Sequence, residues 1–461
     1  MESYSEQVIN YWFKLDDNYH DFWFDASVDQ EIKTKFGKLL LDIENNIIIP
    51  ELNNEKFTCM LILDQFSRNI YRNSDFRKND HVAFNLAQEI IKSDFYKTLP
   101  FVRKMFCLLP FRHQRKTEYL DFVINELKSY ETNDLVNKFR LATLSDYAKC
   151  EDEIYLDENN TKLSEPTYDS YIHDDECNHM ENLILTISDD SLISTIKKFI
   201  DKNNITKLAV SLSGGVDSMV LLFILKNILR DELIAIHLNY NNRSESVSEM
   251  NFLKKWCGYL NIPFIYRSIN HIKRDTENRE FYESHTKQIR FNLYKYAIKK
   301  FNITGVCLGH HNDDFAENVF MNFTKGKSLL ELFSMNEISI IDKVKIMRPM
   351  LSHKKSDILS ISQKYNILYF KDTTPDWSFR GIMRRQIFPK LIELNLYDNL
   401  VQNGIKSTEL NTMTEKMIFE PVIKSVIYKK YGFIIPLTNI CYESIFLSTI
   451  FIRIFHANKY K

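Results

Sequence analysis

The sequence predicts an α/β protein with a doubly wound parallel sheet, preceded by an all-α, helical-repeat-like domain. Three observations carry that expectation. Residues 1 to about 150 place their apolar positions only at helical spacing. From about residue 193, short β-rich runs alternate with longer helical ones, the order that specifies crossover connections in a parallel sheet. A Gly-Gly turn then stands directly between the first of those strands and its helix. With 461 residues, 44% hydrophobic and 26% charged, and 10 each of Gly and Pro, the chain has room for about three domains, and a collagen-like, low-complexity or wholly disordered polypeptide is excluded. Lys plus Arg total 60 against 61 for Asp plus Glu, a formal net charge of -1, so a nucleic-acid partner would have to be held by local basic patches.

The first segment reads as helices in VINYWF, EIKTKFGKLLLDI, FTCMLILDQFSRNIY and HVAFNLAQEII, an all-α domain over 1–150. Residues 151–192 turn acidic and polar (EDEIYLDENN, HDDECNH), as expected of a solvated linker. His173, Cys177 and His179 in it could hold a divalent metal, although their spacing fits no standard site. Over 193–395, KLAVSLS, LIAIHLNY, PFIYRSI and GVCLGHH read as strands; DSMVLLFILKNIL, SVSEMNFLKKWCGYL and TKQIRFNLYKYAIKKF read as the helices between them. Residues 396–461 form a mixed extension whose apolar SIFLSTIFIRIF is expected to be core or interface. It contains Arg453 and is shorter than the roughly 20 residues a membrane span needs. The N-terminus lacks the pattern of a secretory leader, and the seven scattered cysteines never form CxxC, so free thiols and a cytoplasmic location are expected.

The most specific signal is SGGVDS, Ser213, Gly214, Gly215, Val216, Asp217 and Ser218. Two glycines let the backbone approach an anion closely, and the helix behind them offers free N–H groups and the positive end of its dipole. Ser213 and Ser218 can add hydroxyl donors. A Walker loop would carry a lysine for the terminal phosphates, and this loop has none. The expected ligand is therefore pyrophosphate as a leaving group, with Asp217 holding Mg2+. SGGVDS resembles the signature of the N-type ATP pyrophosphatases, the PP-loop enzymes, which cleave ATP between the α- and β-phosphates to adenylate an oxygen.

Further segments resemble the tRNA-Ile lysidine synthetases within that superfamily, together covering roughly residues 205–391. In HLNYNNRSES, His237, Asn239, Arg243 and Ser246 match, while Tyr240 and Asn242 depart from the pattern. In SHTKQIRF, Lys287 replaces an arginine and Arg290 is kept as the one the resemblance brings to ATP. GHHNDDFAEN supplies Asp313, Asp314 and Glu317 within about one helical turn, a constellation suited to orienting a positively charged amine. Resemblance assigns Asp217, Asp314 and Glu317 to lysine and metal handling, and the acids are expected to concentrate negative potential. His310 and His311, read as neighbours at a strand end, should point apart and share no metal. In the last segment Arg348, Pro349, Asp372, Arg380, Arg384 and Pro389 match, with Gly381 departing. The basic, aromatic run from Trp377 to Lys390 suits RNA phosphates and bases, or is a solvated basic helix.

The resemblance implies adenylation of a wobble cytidine with ATP and Mg2+, then displacement of AMP by lysine, with tRNA as partner and a homodimer among the open assemblies. Catalysis would come from positioning and from charge stabilisation on the α-phosphate by Mg2+, backbone amides and Arg290. Two alternatives remain open: a PP-loop enzyme acting on another RNA base or amine, and an inert RNA-binding adaptor. Separately, VINYWF, LILDQFSRNIYR and LLPFRH resemble a bacterial family of helical, tetratricopeptide-like proteins of unknown function. There, Asp64, Gln65, Arg68, Asn69, Arg72 and His113 could line a polar groove. Alternatively, Asp64 and Arg68 form an i,i+4 pair, and Arg72 and His113 are buried structural partners.

Overall fold

The computed structural model describes residues 3–14, 20–131, 133–157, 190–274, 277–332, 335–370, 379–429, 432–436 and 443–458. The His173, Cys177 and His179 cluster, most of the acidic 151–192 segment, Asp372 and Trp377 lie outside the described residues. In chain order the helical segment comprises α1 (Tyr4–Phe13), α2 (Asp29–Glu44), α3 (Asn53–Leu61), α4 (Ser67–Ile70), α5 (Asp80–Lys92), α6 (Asp94–Thr98), α7 (Phe101–His113), α8 (Thr117–Leu127) and α9 (Asp134–Tyr147). The alternating segment runs β1 (Tyr155–Asp157), α10 (Ser191–Lys202), β2 (Leu208–Ser211), α11 (Val216–Leu229), β3 (Leu233–Asn239), α12 (Ser246–Tyr259), β4 (Phe264–Ser268), α13 (Arg279–Phe301), β5 (Val306–Cys307), α14 (Asn312–Thr324), β6 (Ile338–Ile341), β7 (Val344–Met347) and α15 (Lys355–Lys364). It is followed by α16 (Phe379–Ile382), α17 (Phe388–Glu393), α18 (Tyr397–Thr414), α19 (Glu420–Ser425), the hairpin β8 (Ile427–Lys429) and β9 (Gly432–Ile434), and α20 (Ser444–Asn458).

Two compact units emerge, and they do not follow the chain end to end. One joins residues 1–156 with 238–248 and 265–296; the other comprises 157–237, 249–264 and 297–461. In the first, Ser3 and Glu6 form a capping box that starts α1. An aromatic core forms around Trp12, whose ring lies 4.8 Å from Phe66 and 6.1 Å from Trp23. A π-helical turn, Ile62–Phe66, joins α3 to α4 and carries Asp64 into the interior at 1% exposure. Asp64 receives His113 Nδ1 at 2.6 Å and Arg68 at 3.5 Å, the expected i,i+4 pair. Arg72, expected as a buried partner of His113, instead reaches Asp29 and stays 43% exposed. Asp64, Asp80 and His113 are close enough to share a cation, yet Arg68 and Arg77 already bind Asp80, so the network is neutralised from within.

The same unit takes in β4 residues and the first part of α13. Arg267, with no exposed surface, donates to the carbonyls of Tyr147 at 2.6 Å and Cys150 at 2.9 Å, and pairs with Glu153 at 3.2 Å. The Tyr147 carbonyl ends α9 and also accepts from the Cys150 amide at 3.1 Å, so the cation sits at the negative end of that helix. Asn292 donates to the Ala148 carbonyl at 2.7 Å, and Leu144 and Tyr147 pack with Ile269, Ile272 and Ile289. His271 stacks on Tyr147 at 4.0 Å and meets His285 through Nε2 to Nε2 at 2.8 Å, a contact that requires one ring to donate and the other to accept.

The second unit holds the strand order β3-β2-β5-β7-β6, parallel from β3 to β7. β6 pairs antiparallel with β7 through a turn in which Asp342 and Lys343 both have positive φ. This edge hairpin was not expected from the sequence. α11 is buried around most of its circumference (Val220 to Leu225), as its continuous apolar run requires, and it packs against α10 and α15. The strand expected from GVCLGHH is only Val306–Cys307: Gly309 and His310 follow it, and His311 is the N-cap of α14. The expectation that the two histidines point apart from a strand end therefore lacks its strand. In α20, Phe446, Ile450 and Ile454 are buried with Phe419 and Val422, while Phe451 and Ile452 are exposed.

Burial and the neighbouring His285 and Arg267 push His271 down to about 3, and burial and Arg267 push His285 down to about 4. Both fall below the ordinary histidine value. The unfolded chain therefore takes up protons that the folded one refuses, and the stability held above about pH 6.5 is lost as pH falls toward 4. Thermal melts at stepped pH should show the midpoint dropping across that window, with a shallower slope in His271→Asn; an unchanged slope would contradict this origin.

Candidate functional site

β2 runs into the SGGVDS loop, and α11 begins at Val216 with Gly215 as its N-cap. Gly214 holds φ +89°, and a Cβ there would lie 2.3 Å from the Phe370 ring. Only glycine fits. Phe370 N–H donates to the Gly214 carbonyl at 2.8 Å, pinning the turn from the other side. Ser218 Oγ donates to the Gly215 carbonyl at 2.9 Å and accepts from the Ser213 and Gly214 amides, each at 3.2 Å. The Ser218 hydroxyl, expected as a phosphate donor, thus closes the loop on itself. Ser213 is exposed, and a Cβ at Gly215 would meet only the Ser213 hydroxyl, at 3.6 Å, an ordinary contact.

Gly309 makes a second close approach: a Cβ there would meet the Asp217 carbonyl carbon and the Ser218 nitrogen at 3.0 Å. That contact brings the GHHNDD segment onto the first turn of α11. His311 Nδ1 accepts from the Asp313 amide at 3.2 Å while the Asp314 carboxylate accepts from the His311 amide, a reciprocal cap. The proton consequently resides on Nε2, which faces Asp314 at 3.4 Å and Asp217 at 3.6 Å. Asp217 and Asp314 thus both face His311, a place that sequence reading did not give this histidine. Burial acts to raise Asp314, but His311, His310, the His311 amide and Arg384 outweigh it and hold the carboxyl below its ordinary range. Glu317, 1% exposed, is raised by burial in spite of the Arg384 guanidinium that touches it.

Of the cations that answer these acids, sequence reading named Arg380 and Arg384, but for RNA, and missed Lys355. Lys355, at the start of α15, donates from Nζ to both Asp217 oxygens at 2.6 and 2.8 Å, and its amide reaches Asp313 at 3.2 Å. Tyr397 donates to the other Asp313 oxygen. Arg384 bridges Glu317 and Asp314, with 3.1 Å to the latter, and Arg380 stands 3.4 Å from Glu317. The negative potential expected at this mouth is therefore compensated within the protein. A cavity of about 500 Å³ adjoins it, lined among others by His311, Asp313, Lys355, Arg384, Phe388 and Tyr397.

Other expected residues have different settings. His237 is buried, donates from Nδ1 to the Leu212 carbonyl at 2.8 Å, and is kept below the ordinary histidine value by burial. Arg348, 5% exposed, donates to the Asn336 carbonyl at 2.8 Å, to Ser339 at 2.9 Å and to His310 at 3.2 Å, so its guanidinium is bound into the fold around the β6–β7 edge. Asn239, Arg243 and Arg290 belong to the first unit. There, Asn239 accepts from the Asn241 amide at 2.8 Å, Arg243 is exposed, and Arg290 is half-buried on α13 with its Nε lacking a hydrogen-bond partner.

Residues 189–391, which carry this strand, glycine turn and helix N-terminus, match the family model described as a PP-loop domain. Residues 8–156 match the model of a bacterial protein of unknown function (DUF924). Among curated proteins the chain is similar to tRNA(Ile)-lysidine synthases. It is 29% identical over 240 residues to that of Francisella tularensis subsp. holarctica, covering 51% of this chain and 58% of the relative. It is 27% identical over 267 residues to that of Chlamydia caviae, covering 57% and 82%. The chain thus spans a little over half the length of the Francisella protein. The solved U34-tRNA thiolase NcsA from Methanococcus maripaludis aligns over 48% of this chain and 78% of its own, at 20% identity and a TM-score of 0.40. Among the described residues no helix is long and apolar enough to cross a membrane.

Two substitutions probe this geometry. Gly214→Ala must drive a methyl group into Phe370 from a left-handed backbone, and chemical denaturation should show a loss of about 2 kcal/mol or more. Arg384→Ala strands Asp314 and Glu317 without their bridging cation and should cost about 3 kcal/mol in the same assay; a loss near zero would mean that the arginine contributes nothing to this site.

Proposed function

We propose that this chain is an ATP-dependent tRNA-modifying ligase of the lysidine-synthesising kind. It adenylates the 2-oxygen of a wobble cytidine with release of pyrophosphate, and a lysine amine then displaces AMP. The observation that carries the reading is the SGGVDS turn on the N-terminus of α11, with His311 standing between Asp217 and the α14 acids. The names of the relatives add the RNA substrate.

In this reading the Gly214 to Gly215 backbone and the α11 N-terminus receive the β- and γ-phosphates. The oxygen attacks the α-phosphorus, the bond to the bridging oxygen breaks, and the electron pair leaves with pyrophosphate. Mg2+ takes hard oxygen donors, and the partly exposed Asp217 carboxylate fits that preference; the ion would neutralise charge on the phosphates there. Asp314 and Glu317 orient the substrate ammonium. Glu317, whose carboxyl burial raises from its ordinary value, takes the proton the amine must shed before it attacks. As the substrate ammonium replaces Arg380 and Arg384 at these acids, the two guanidiniums become free for RNA phosphates. The protein acts in the cytoplasm, where tRNA, lysine and ATP meet.

Incubation with ATP, labelled lysine and total tRNA should place label in RNA with matching AMP release. Asp217→Ala should lower both by about a hundredfold or more. Undiminished AMP formation in that variant would overturn the assignment, and ATP–pyrophosphate exchange without RNA labelling would redirect it to another base or amine.

A further inference from the structure

We propose that Lys355 is the pyrophosphate-binding lysine of this site, supplied from α15 because the loop itself contains none; the inference rests on the adenylating reading above. A departing pyrophosphate is a concentrated anion, and backbone amides with a helix dipole offer only partial charges to meet it. Lys355 Nζ lies at the loop already, 2.6 and 2.8 Å from the two oxygens of Asp217, the second residue of α11. Its side chain is 34% exposed and stands on the wall of the 500 Å³ cavity, so the ammonium has room to change partners.

The stem is anchored, and the head is bonded to Asp217 alone. The Lys355 amide is fixed on Asp313, and the turn before it is held by His353, which contacts Thr195 at 3.0 Å and Asp357 at 3.2 Å. Arg380 and Arg384 are engaged with Glu317 and Asp314, and among the described residues Lys355 is the lysine or arginine bonded to the first turn of α11. Without nucleotide, Lys355 balances Asp217. Asp217 would hold a divalent cation accompanying the nucleotide, and the Lys355 ammonium, released from that carboxylate, would meet the phosphate beside it. The ammonium donates hydrogen bonds to the pyrophosphate oxygens, so the exchange of ion partners conserves charge.

The test is binding by the full-length protein, with Mg2+ present, of pyrophosphate, ATP and AMP in turn. In Lys355→Ala, affinity for pyrophosphate and ATP should fall by about thirtyfold or more while AMP binding is unchanged. Lys355→Arg, which keeps the charge, should restore most of the affinity, and melting curves should show all three proteins folded. If wild-type protein binds pyrophosphate and the alanine variant binds it equally well, or loses AMP to the same degree, Lys355 does not hold this anion and the adenylating reading survives. Should wild-type protein bind neither ATP nor pyrophosphate, both readings fall together.

Discussion

Phe370 N–H meets the Gly214 carbonyl at 2.8 Å while its ring fills the space where any side chain at 214 would stand. The loop owes its shape to that double contact: the backbone is forced left-handed and its free face is turned away from the ring. A comparable approach at Gly309 lets the segment after β5 lie directly on Asp217 and Ser218. Without side chains at these two positions, the strand end that carries the phosphate turn and the one that carries the α14 acids come within one hydrogen bond of each other.

Close approach creates an electrostatic problem that the fold solves with distant residues. Four carboxylates, from Asp217, Asp313, Asp314 and Glu317, gather around His311, and each is met by a donor from the 355–397 segment. Carboxylates so crowded would repel one another and take up protons unless opposed. The resulting set is stable without ligand and composed of ion pairs that an incoming cation or anion can replace one at a time.

The legible part of this site was local. SGGVDS could be placed on a strand–turn–helix because glycines, flanking apolar runs and the serine pair fall within a dozen residues, and the α14 acids could be read from helical spacing. Lys355 and Arg384 could not. They sit 138 and 67 residues from the carboxylates they bind, and nothing in a lone lysine or arginine announces its partner. The β6–β7 hairpin escaped for another reason: its turn uses Asp342 and Lys343 at positive φ, where an Asn-Gly or Asp-Gly pair would have signalled it. The helical N-terminal segment was legible as helices throughout, but the burial of Asp64 on a π-turn and its pairing with His113 depend on a packing that periodicity does not encode.

Arg267 is a full positive charge with no contact with water, bound on one side to the carbonyls that end α9 and on the other to the strand that carries it. The segment that ends α9 is therefore its solvation shell. Were residues 1–156 trimmed away, the guanidinium would lose every oxygen described around it. A cut between the two stretches that match separate family models would therefore expose a buried charge, not a clean surface.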